Sequence, residues 1–482
     1  MTPERIVVAT LVVVLSALAS GHALIFKRDP RSAIAWVVFI WLLPTVGPLA
    51  YLLLGINRIQ RRALALRAPG TAVDAPLALA PPLPEVLPAA LATTLGDVDA
   101  HLLALARATA RLTGTPLRAD NRAVPLENGD ETYPALTRAI EGATRSVALC
   151  TYIFDADAVG RALVDALARA VKRGVAVRVL VDDVGRRYSF PSILRPLRAA
   201  GVRAAAFLPT LSPLRAPLAN LRDHRKICVV DGRVAFTGGL NIRDQHVLAR
   251  AQPDATADLH FRFEGPVVAD LFAVLADDWR FTTGEALDGP AWQIDVAAAG
   301  TVFARVLADG PENRRDPIRW ALLAALAVAR RSVRVATPYF LPDQGLITAL
   351  SAASLRGIDI DVVLPERGNI LVAQWAQTAL LWQTLEHGCR VHVQPAPFDH
   401  TKLMVVDDAW ALVGSANWDT RSLRLNFELD VECYDRALAA DLAARIDGKI
   451  ARGRRVTLAE LESRGLIVKL RDGAARLFAP YL

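Results

Sequence analysis

With 482 residues, 53% of them hydrophobic and 22% charged, the chain is too apolar to be generally disordered and long enough for two core-forming units. A net charge of +7 suits an anionic partner such as phospholipid or nucleic acid, but over this length it does not choose between them. The four cysteines, Cys150, Cys228, Cys389 and Cys433, stand far apart in apolar runs without CxxC spacing, which excludes a zinc-ribbon or disulfide framework and points to buried, reduced thiols.

In chain order, Ile6 to Phe26 is an uncharged run long enough to cross a hydrocarbon core. Lys27-Arg28-Asp29-Pro30-Arg31 breaks it. A second uncharged run, Ala33 to Ile56, carries Trp36, Trp41 and Tyr51 and is interrupted by Pro44, Gly47 and Pro48. A second run following at once argues against a cleaved signal peptide, so residues 1–62 read as a membrane hairpin with transmembrane helices near 6–26 and 33–56, the second kinked or re-entrant at Pro44, Gly47 and Pro48. Arg5, Arg58, Arg61, Arg62 and Arg67 outnumber the loop cations Lys27, Arg28 and Arg31. The protein is therefore expected to be multi-pass in a membrane with its bulk in the cytoplasm.

Residues 63–118 read as an Ala/Pro-rich linker, Ala68 to Pro88, followed by a helix with Leu102, Leu103, Leu105 and Leu112 at helical spacing. Residues 119–288 and 289–482 then form two similar α/β halves. Arg145-Ser-Val to Phe154, a helix to Lys172, and Arg173-Gly to Asp182 return as Arg331-Ser-Val to Phe340, a helix, and Arg356-Gly to Pro365. Apolar strands separated by helices predict a mixed sheet in each half, with a seam near Glu285–Trp292.

A longer repeat lies downstream. His224, Lys226, Asp231, Gly238-Gly239 and Asn241 recur at identical spacing as His400, Lys402, Asp407, Gly414-Ser415 and Asn417. His and Lys two apart on an extended segment share a face. Each copy reads as a hairpin, with Gly239 and Ser415 small enough for backbone N–H groups to approach an oxyanion. Phosphoester chemistry wants two acid–base groups and each half supplies one histidine. Pairing the halves about a pseudo-twofold axis would set His224 and His400 on opposite sides of one site. Lys226 and Lys402 would neutralise the non-bridging oxygens, and Asn241 and Asn417 would donate to them. Such a site carries its own positive charge, so neither metal nor cofactor is expected. A nucleophilic imidazole needs its other nitrogen held by an acceptor. Glu428, on an alternating strand after His400, is the expected partner of His400, and Asp258 that of His224. Asp231 and Asp407 belong to the catalytic motif, bracing its turn and the neighbouring lysine.

At these residues the sequence resembles the phospholipase D superfamily and, within it, the bacterial cardiolipin synthases. The resemblance runs through Trp36, Pro44, Gly47-Pro48, Tyr51 and Gly55, then Asp223-His-Arg-Lys-Ile and Gly238-Gly-Leu-Asn-Ile, and ends with Gly414-Ser-Ala-Asn-Trp-Asp-Thr-Arg-Ser-Leu-Arg-Leu-Asn-Phe-Glu428. Asp223, His246 and Ala257 depart from that family, which usually has Asn, Tyr and Trp there. The resemblance implies two phospholipase D-like α/β halves related by pseudo-twofold symmetry behind an N-terminal transmembrane hairpin. It also implies ping-pong phosphatidyl transfer on phosphatidylglycerol. His224 attacks to form a phosphohistidine; His400 protonates the leaving glycerol and deprotonates the hydroxyl of a second phosphatidylglycerol, giving cardiolipin. The two histidines' roles could be exchanged. Hydrolysis is the alternative in which water replaces the lipid alcohol. A nucleic-acid phosphodiesterase would want exposed aromatics in basic stripes and no anchor, so phospholipid and membrane, not nucleic acid, are the expected partners. Nothing in the sequence specifies an oligomer.

Overall fold

The computed structural model describes residues 2–27, 30–55, 89–209, 221–311, 313 and 315–479. It divides into two units, residues 1–69 and 70–482.

In the first unit, α1 (Pro3–Phe26) packs against α2 (Pro30–Leu42). The buried residues of α1 are Ser16, Ser20 and Ala23, small enough for two helix backbones to approach. Among the described residues, α1 alone has the length and composition to cross a membrane. The helix expected over 33–56 is interrupted at Pro44, Gly47 and Pro48, as those residues predict: α2 stops at Leu42 after 13 residues, and α3 (Val46–Ala50) and a π-helical turn (Tyr51–Gly55) follow. At 1.5 Å per residue α2 is about 20 Å long, short of a hydrocarbon core of about 30 Å. Pro44 and Pro48 remove backbone donors at the break. A Cβ on Gly47 would lie 2.6 Å from Ile40 Cα, so glycine lets the chain fold back onto α2. Tyr51, buried with Ala23 and Ile40, meets His22 Nδ1 at 2.8 Å through its hydroxyl. Ile56, the arginines beyond it and the expected linker, Ala68 to Pro88, lie outside the described residues.

In the second unit the apolar runs become strands of one 15-stranded sheet. The first half supplies β1 (Arg118–Glu127), β2 (Ser146–Thr151), β3 (Ala176–Asp182), β4 (Arg203–Phe207), β5 (Ile227–Val230), β6 (Val234–Gly238) and β7 (Leu259–Glu264). The second supplies β8 (Val302–Asp309), β9 (Ser332–Ala336), β10 (Asp359–Pro365), β11 (Arg390–Gln394), β12 (Leu403–Val406), β13 (Trp410–Gly414), β14 (Glu428–Tyr434) and β15 (Arg454–Val456). Across the sheet the order is β4-β3-β2-β5-β6-β7-β1, then β8-β14-β13-β12-β9-β10-β11-β15. The second series mirrors the first, so the duplication is a pseudo-twofold axis between β1 and β8. That seam is thin: Arg118 pairs with Ala304 and Asn121 with Val302, with a register shift between them.

In each half three parallel strands are linked through helices and continue into an antiparallel hairpin. Covered on both faces, β2 is buried throughout, and Val177, Val179 and Val181 of β3 face a core with Leu163, Leu167 and Leu197. The second half's core has an additional source. Helices α4 (Ala89–Asp99) and α5 (Leu102–Thr113) bury Leu91, Leu95, Leu102, Leu105 and Ala106 among Leu322, Leu326, Trp410 and Tyr434. Below them Arg305, fully buried, bonds Ala106 O (3.0 Å) and Thr109 Oγ1 (2.8 Å) and sits 3.4 Å from Glu432. The helical stretch that reads as a connection is thus part of the second half. Leu105 is 0% exposed, so Leu105→Ala should destabilise the protein by about 2–5 kcal/mol. A denaturant midpoint unchanged from wild type would contradict this docking.

Candidate active site

The residues Arg222 to Lys226 lead into β5 as extended chain beside the start of β14 from the other half. His224 N donates to Phe427 O (2.9 Å), Phe427 N to Arg222 O (2.8 Å), and Asp223 and Phe427 form a parallel bridge. The second motif repeats this. Phe398 and Asp399 pair in parallel with Thr256 and Ala257, and His400 N donates to Ala257 O at 2.7 Å. Each histidine is therefore laid beside the other half's acidic strand.

The consequence corrects the expected pairing. His224 Nδ1 lies 3.0 Å from Glu428 Oε2, and His400 Nδ1 lies 2.7 Å from Asp258 Oδ2. Both contacts cross between halves. Within one half, β6 stands between β5 and β7, so a histidine and its own acid begin two strand spacings apart, about 9.5 Å. The other half's acid is adjacent. Glu428 also accepts from Ser415 Oγ (2.5 Å) and Asn426 Nδ2 (3.0 Å), whereas Asp258 accepts from the Leu259 N–H (2.8 Å).

Two further expectations change. Asp231 and Asp407 are in the β5–β6 and β12–β13 turns, each with positive φ, at the far ends of strands whose near ends carry the His-Lys pairs. From Lys226 to Asp231 the strand extends about 15 Å. Asp231 accepts from the N–H groups of Thr144, Arg145 and Ser146 at 2.8–2.9 Å; Asp407 accepts from those of Arg330, Arg331 and Ser332 and from His101 Nε2 (2.6 Å). They pin the hairpin to the recurring Arg-Ser-Val strand starts and brace neither lysine. Lys226 Nζ instead donates to His224 O (2.6 Å), and Lys402 Nζ to His400 O. Nor do Gly239 and Ser415 free backbone donors for an oxyanion: Gly239 N is taken by Leu259 O and Ser415 N by Leu429 O. Gly239 is small because a Cβ would meet the Asp258 carboxylate at 2.2 Å.

His224, His400, Asn241 and Asn417 line one cleft of 1110 Å³. Asn241 Oδ1 accepts from the Ile153 N–H (3.1 Å), and Asn417 Nδ2 donates to Ser422 Oγ (3.2 Å). Tyr152 was not singled out in the sequence. Its ring packs 5.1 Å from that of His224, and Lys226 Nζ lies 5.7 Å from its centroid. The signal was the aromatic just after the Arg-Ser-Val strand in both halves, Tyr152 and Tyr339, both cleft-lining. Arg225 was also missed. Buried between the histidine and lysine of the first motif, it bonds Asp278 twice at 2.7 Å and reaches Glu428 O and Asp309 O. It clamps the histidine segment to the second half. His246, where the resembling family has an aromatic, also lines the cleft, 6.5 Å from the His400 ring.

Burial sets the charge state of the site. It lowers the basicity of both imidazoles, opposed at His224 by Glu428 and reinforced at His400 by Lys402 and Lys226. It pushes Lys226 down to about 8 and Lys402 to about 7. Burial alone would raise Glu428, but His224, Lys226 and Ser415 hold its carboxyl below the ordinary value. The site therefore favours a charged Glu428, whereas burial raises Asp258, and it favours neutral imidazoles beside two ammonium groups close to losing their protons. An entering phosphodiester anion stabilises the charged form of all four.

Two like halves that pool one His-Lys pair each across a pseudo-twofold axis define a phospholipase D-like protein. A family model described as "Cardiolipin synthase, PLD-like domain" matches residues 136–256 and again 322–450. A "Phospholipase_D-nuclease N-terminal" model matches 7–55. The chain belongs to this cardiolipin synthase, PLD-like family. It is 31% identical over 458 residues to a cardiolipin synthase of Geobacillus kaustophilus, covering 95% of this chain and 90% of that one. It is 32% identical over 476 residues to cardiolipin synthase A of Pseudomonas entomophila, covering 98% and 97%. A phosphatidylserine synthase structure from Haemophilus influenzae shares the fold, with a TM-score of 0.57 at 14% identity over 76% of this chain and 97% of that one. The apolar α1 and these bacterial relatives mark a bacterial membrane protein.

The crossed pairs make a specific prediction. Glu428→Gln removes the charge that raises His224, so the His224 pKa should fall further while His400 keeps its Asp258 contact; Asp258→Asn should do the reverse. Histidine NMR titration of each variant reads this directly, and a shift of the same-half histidine alone would refute the crossing. The lysines predict the alkaline limb. As pH rises through about 7 and then 8 the unliganded site loses its two positive charges, so kcat/KM for an anionic phosphodiester should begin to fall above about pH 7 and fall more steeply above about pH 8. A kcat/KM profile flat to pH 10 would contradict it.

Proposed function

We propose that the protein is a membrane-bound phosphatidyltransferase that converts two phosphatidylglycerol molecules into cardiolipin and glycerol. The observation that carries this reading is the pair of buried imidazoles in one cleft, each bonded through Nδ1 to a carboxylate of the opposite half. Curated relatives over nearly the whole chain bear the name cardiolipin synthase, which supports phosphatidylglycerol as the substrate class.

With Nδ1 bonded to Glu428, the His224 lone pair on Nε2 is the nucleophile. It attacks phosphorus; a P–N bond forms and the P–O bond to glycerol breaks. His400 gives its Nε2 proton to the departing oxygen. The bound phosphodiester anion supplies the negative charge that lets the buried His400 hold that proton. The hydroxyl of a second phosphatidylglycerol then returns a proton to His400 as its oxygen attacks phosphorus. The P–N bond breaks and cardiolipin leaves. Lys226, Lys402, Asn241 and Asn417 stabilise the charge on the non-bridging oxygens. We place the hairpin in the bacterial inner membrane with the catalytic unit on the cytoplasmic side.

The test is labelled phosphatidylglycerol in detergent micelles with chelator present. Wild type is expected to yield cardiolipin and glycerol at a rate the chelator leaves unchanged. His224→Ala and His400→Ala should each lose about 10³-fold or more, and acid-quenched wild type should carry a labelled phosphatidyl group that His224→Ala lacks. Phosphatidic acid as the main product would replace transfer by hydrolysis. Loss of activity in chelator would overturn the metal-free chemistry.

A further inference from the structure

The C-terminal helix Leu466–Arg476 is built inside out. Its buried residues are Asp472 and Ala475, and Ala475 packs in a cluster with Leu341 and with Ala373 and Ala376 of the helix Leu371–Leu385. Its large apolar side chains point away: Leu466, Ile467 and Leu470 are 72%, 83% and 63% exposed, and Leu477 and Phe478, just past its end, 75% and 58%. At about 100° per residue these five fall within an arc of roughly 120°. Lys469 and Arg476 border the arc on one side and Arg471 on the other. The acid on this helix, Asp472, is turned inward against Arg464 and Arg471. A packed core would have drawn the leucines inward; here the protein side receives the small residues and the acid.

The location of this face matters as much as its composition. The helix beneath it begins at the cleft. Ile370 lines the cleft with Arg367, Gly368 and Asn369, and Ile370, Leu371 and Val372 are 49%, 61% and 38% exposed. Ala373 belongs to both places, lining the cleft and packing in the cluster that holds Ala475. The C-terminal end of the helix, at Ala475, therefore lies beside the cleft's rim.

We propose that Leu466–Phe478 is an in-plane anchor for an anionic bilayer surface, its apolar arc among the acyl chains and Lys469 and Arg476 at headgroup level, holding the rim of the cleft against the membrane. A second copy of the chain fits this face poorly, because an isologous contact would oppose like-charged borders. The reading of the substrate as phospholipid explains why the cleft needs a bilayer; the contact itself rests on the helix.

The test uses the full chain reconstituted in phosphatidylcholine vesicles with and without phosphatidylglycerol. The four native cysteines are buried, so a polarity-sensitive dye on Leu470→Cys reports this face and not α1. In anionic vesicles the dye is expected to be shielded from iodide and quenched by nitroxide lipids, more strongly than in neutral ones. A dye open to iodide overturns the proposal. So does one shielded from iodide yet untouched by nitroxide lipid, which would indicate a protein partner. In a second arm, Leu466→Gln, Ile467→Gln and Leu470→Gln combined should lower cardiolipin formation about tenfold in vesicles and leave the micelle rate unchanged. Equal rates in vesicles overturn the anchor. If wild type makes no cardiolipin the transferase reading fails, and the dye still decides the contact.

Discussion

Each imidazole of the site is held by a carboxylate that its own half cannot bring near. Everything about the catalytic unit follows from meeting that constraint twice. The second strand of each histidine hairpin, β6 or β13, puts the home acid two spacings away, so the chain closes the gap with the opposite half. Two short parallel pairings, Asp223 with Phe427 and Phe398–Asp399 with Thr256–Ala257, do the closing. Arg225, on Glu428 O and Asp309 O, reinforces the first, and its ion pair with Asp278 holds it in place from its own half. Since β1 and β8 meet in so few residue pairs, these crossings, not the seam in the sheet, give the halves a defined register where the chemistry happens.

The same burial that makes the crossing strong also sets the site's electrostatics. Six ionisable groups at or behind the cleft wall are withdrawn from water: two histidines, two lysines and two carboxylates. In that setting the cost of charge is shared, and the state of each group depends on what enters. Lys226 acts on His400 and Lys402 on His224, so an anion between them is felt by all four bases at once.

Much of this was legible in the sequence. Periodicity gave the repeated strand–helix–strand units, and identical spacing of His, Lys, Asp, small pair and Asn gave the duplicated hairpin. The misreadings share one cause: a local pattern carries no information about which strand end lies beside it in space. Glu428 looked like the partner of His400 because it follows His400 on the next alternating strand, and only the pairing of Phe427 with the first motif redirects it to His224. Asp231 and Asp407 looked like support for the lysines, because nothing local reveals that Ser146 and Ser332 wait at the turn. The helices over 89–113 looked like a connection because their core partners, from Leu322 to Tyr434, lie hundreds of residues away. The break after Leu42 was legible in Pro44, Gly47 and Pro48, but not that Gly47 would press against Ile40.

A symmetric dimer of identical single halves could satisfy the same exchange, each chain lending its acid to the other's histidine. There, both sides would have to carry the same residues. Joining the halves in one polypeptide removes that requirement. Ser415 now hydrogen-bonds Glu428 where Gly239 only makes room for Asp258, and Asn426 adds a donor where Thr256 stands in the first half. Fusion is thus what permits asymmetry: two histidines set on one repeated pattern can be given different hydrogen-bond surroundings, Glu428 with two added side-chain donors and Asp258 with none of them.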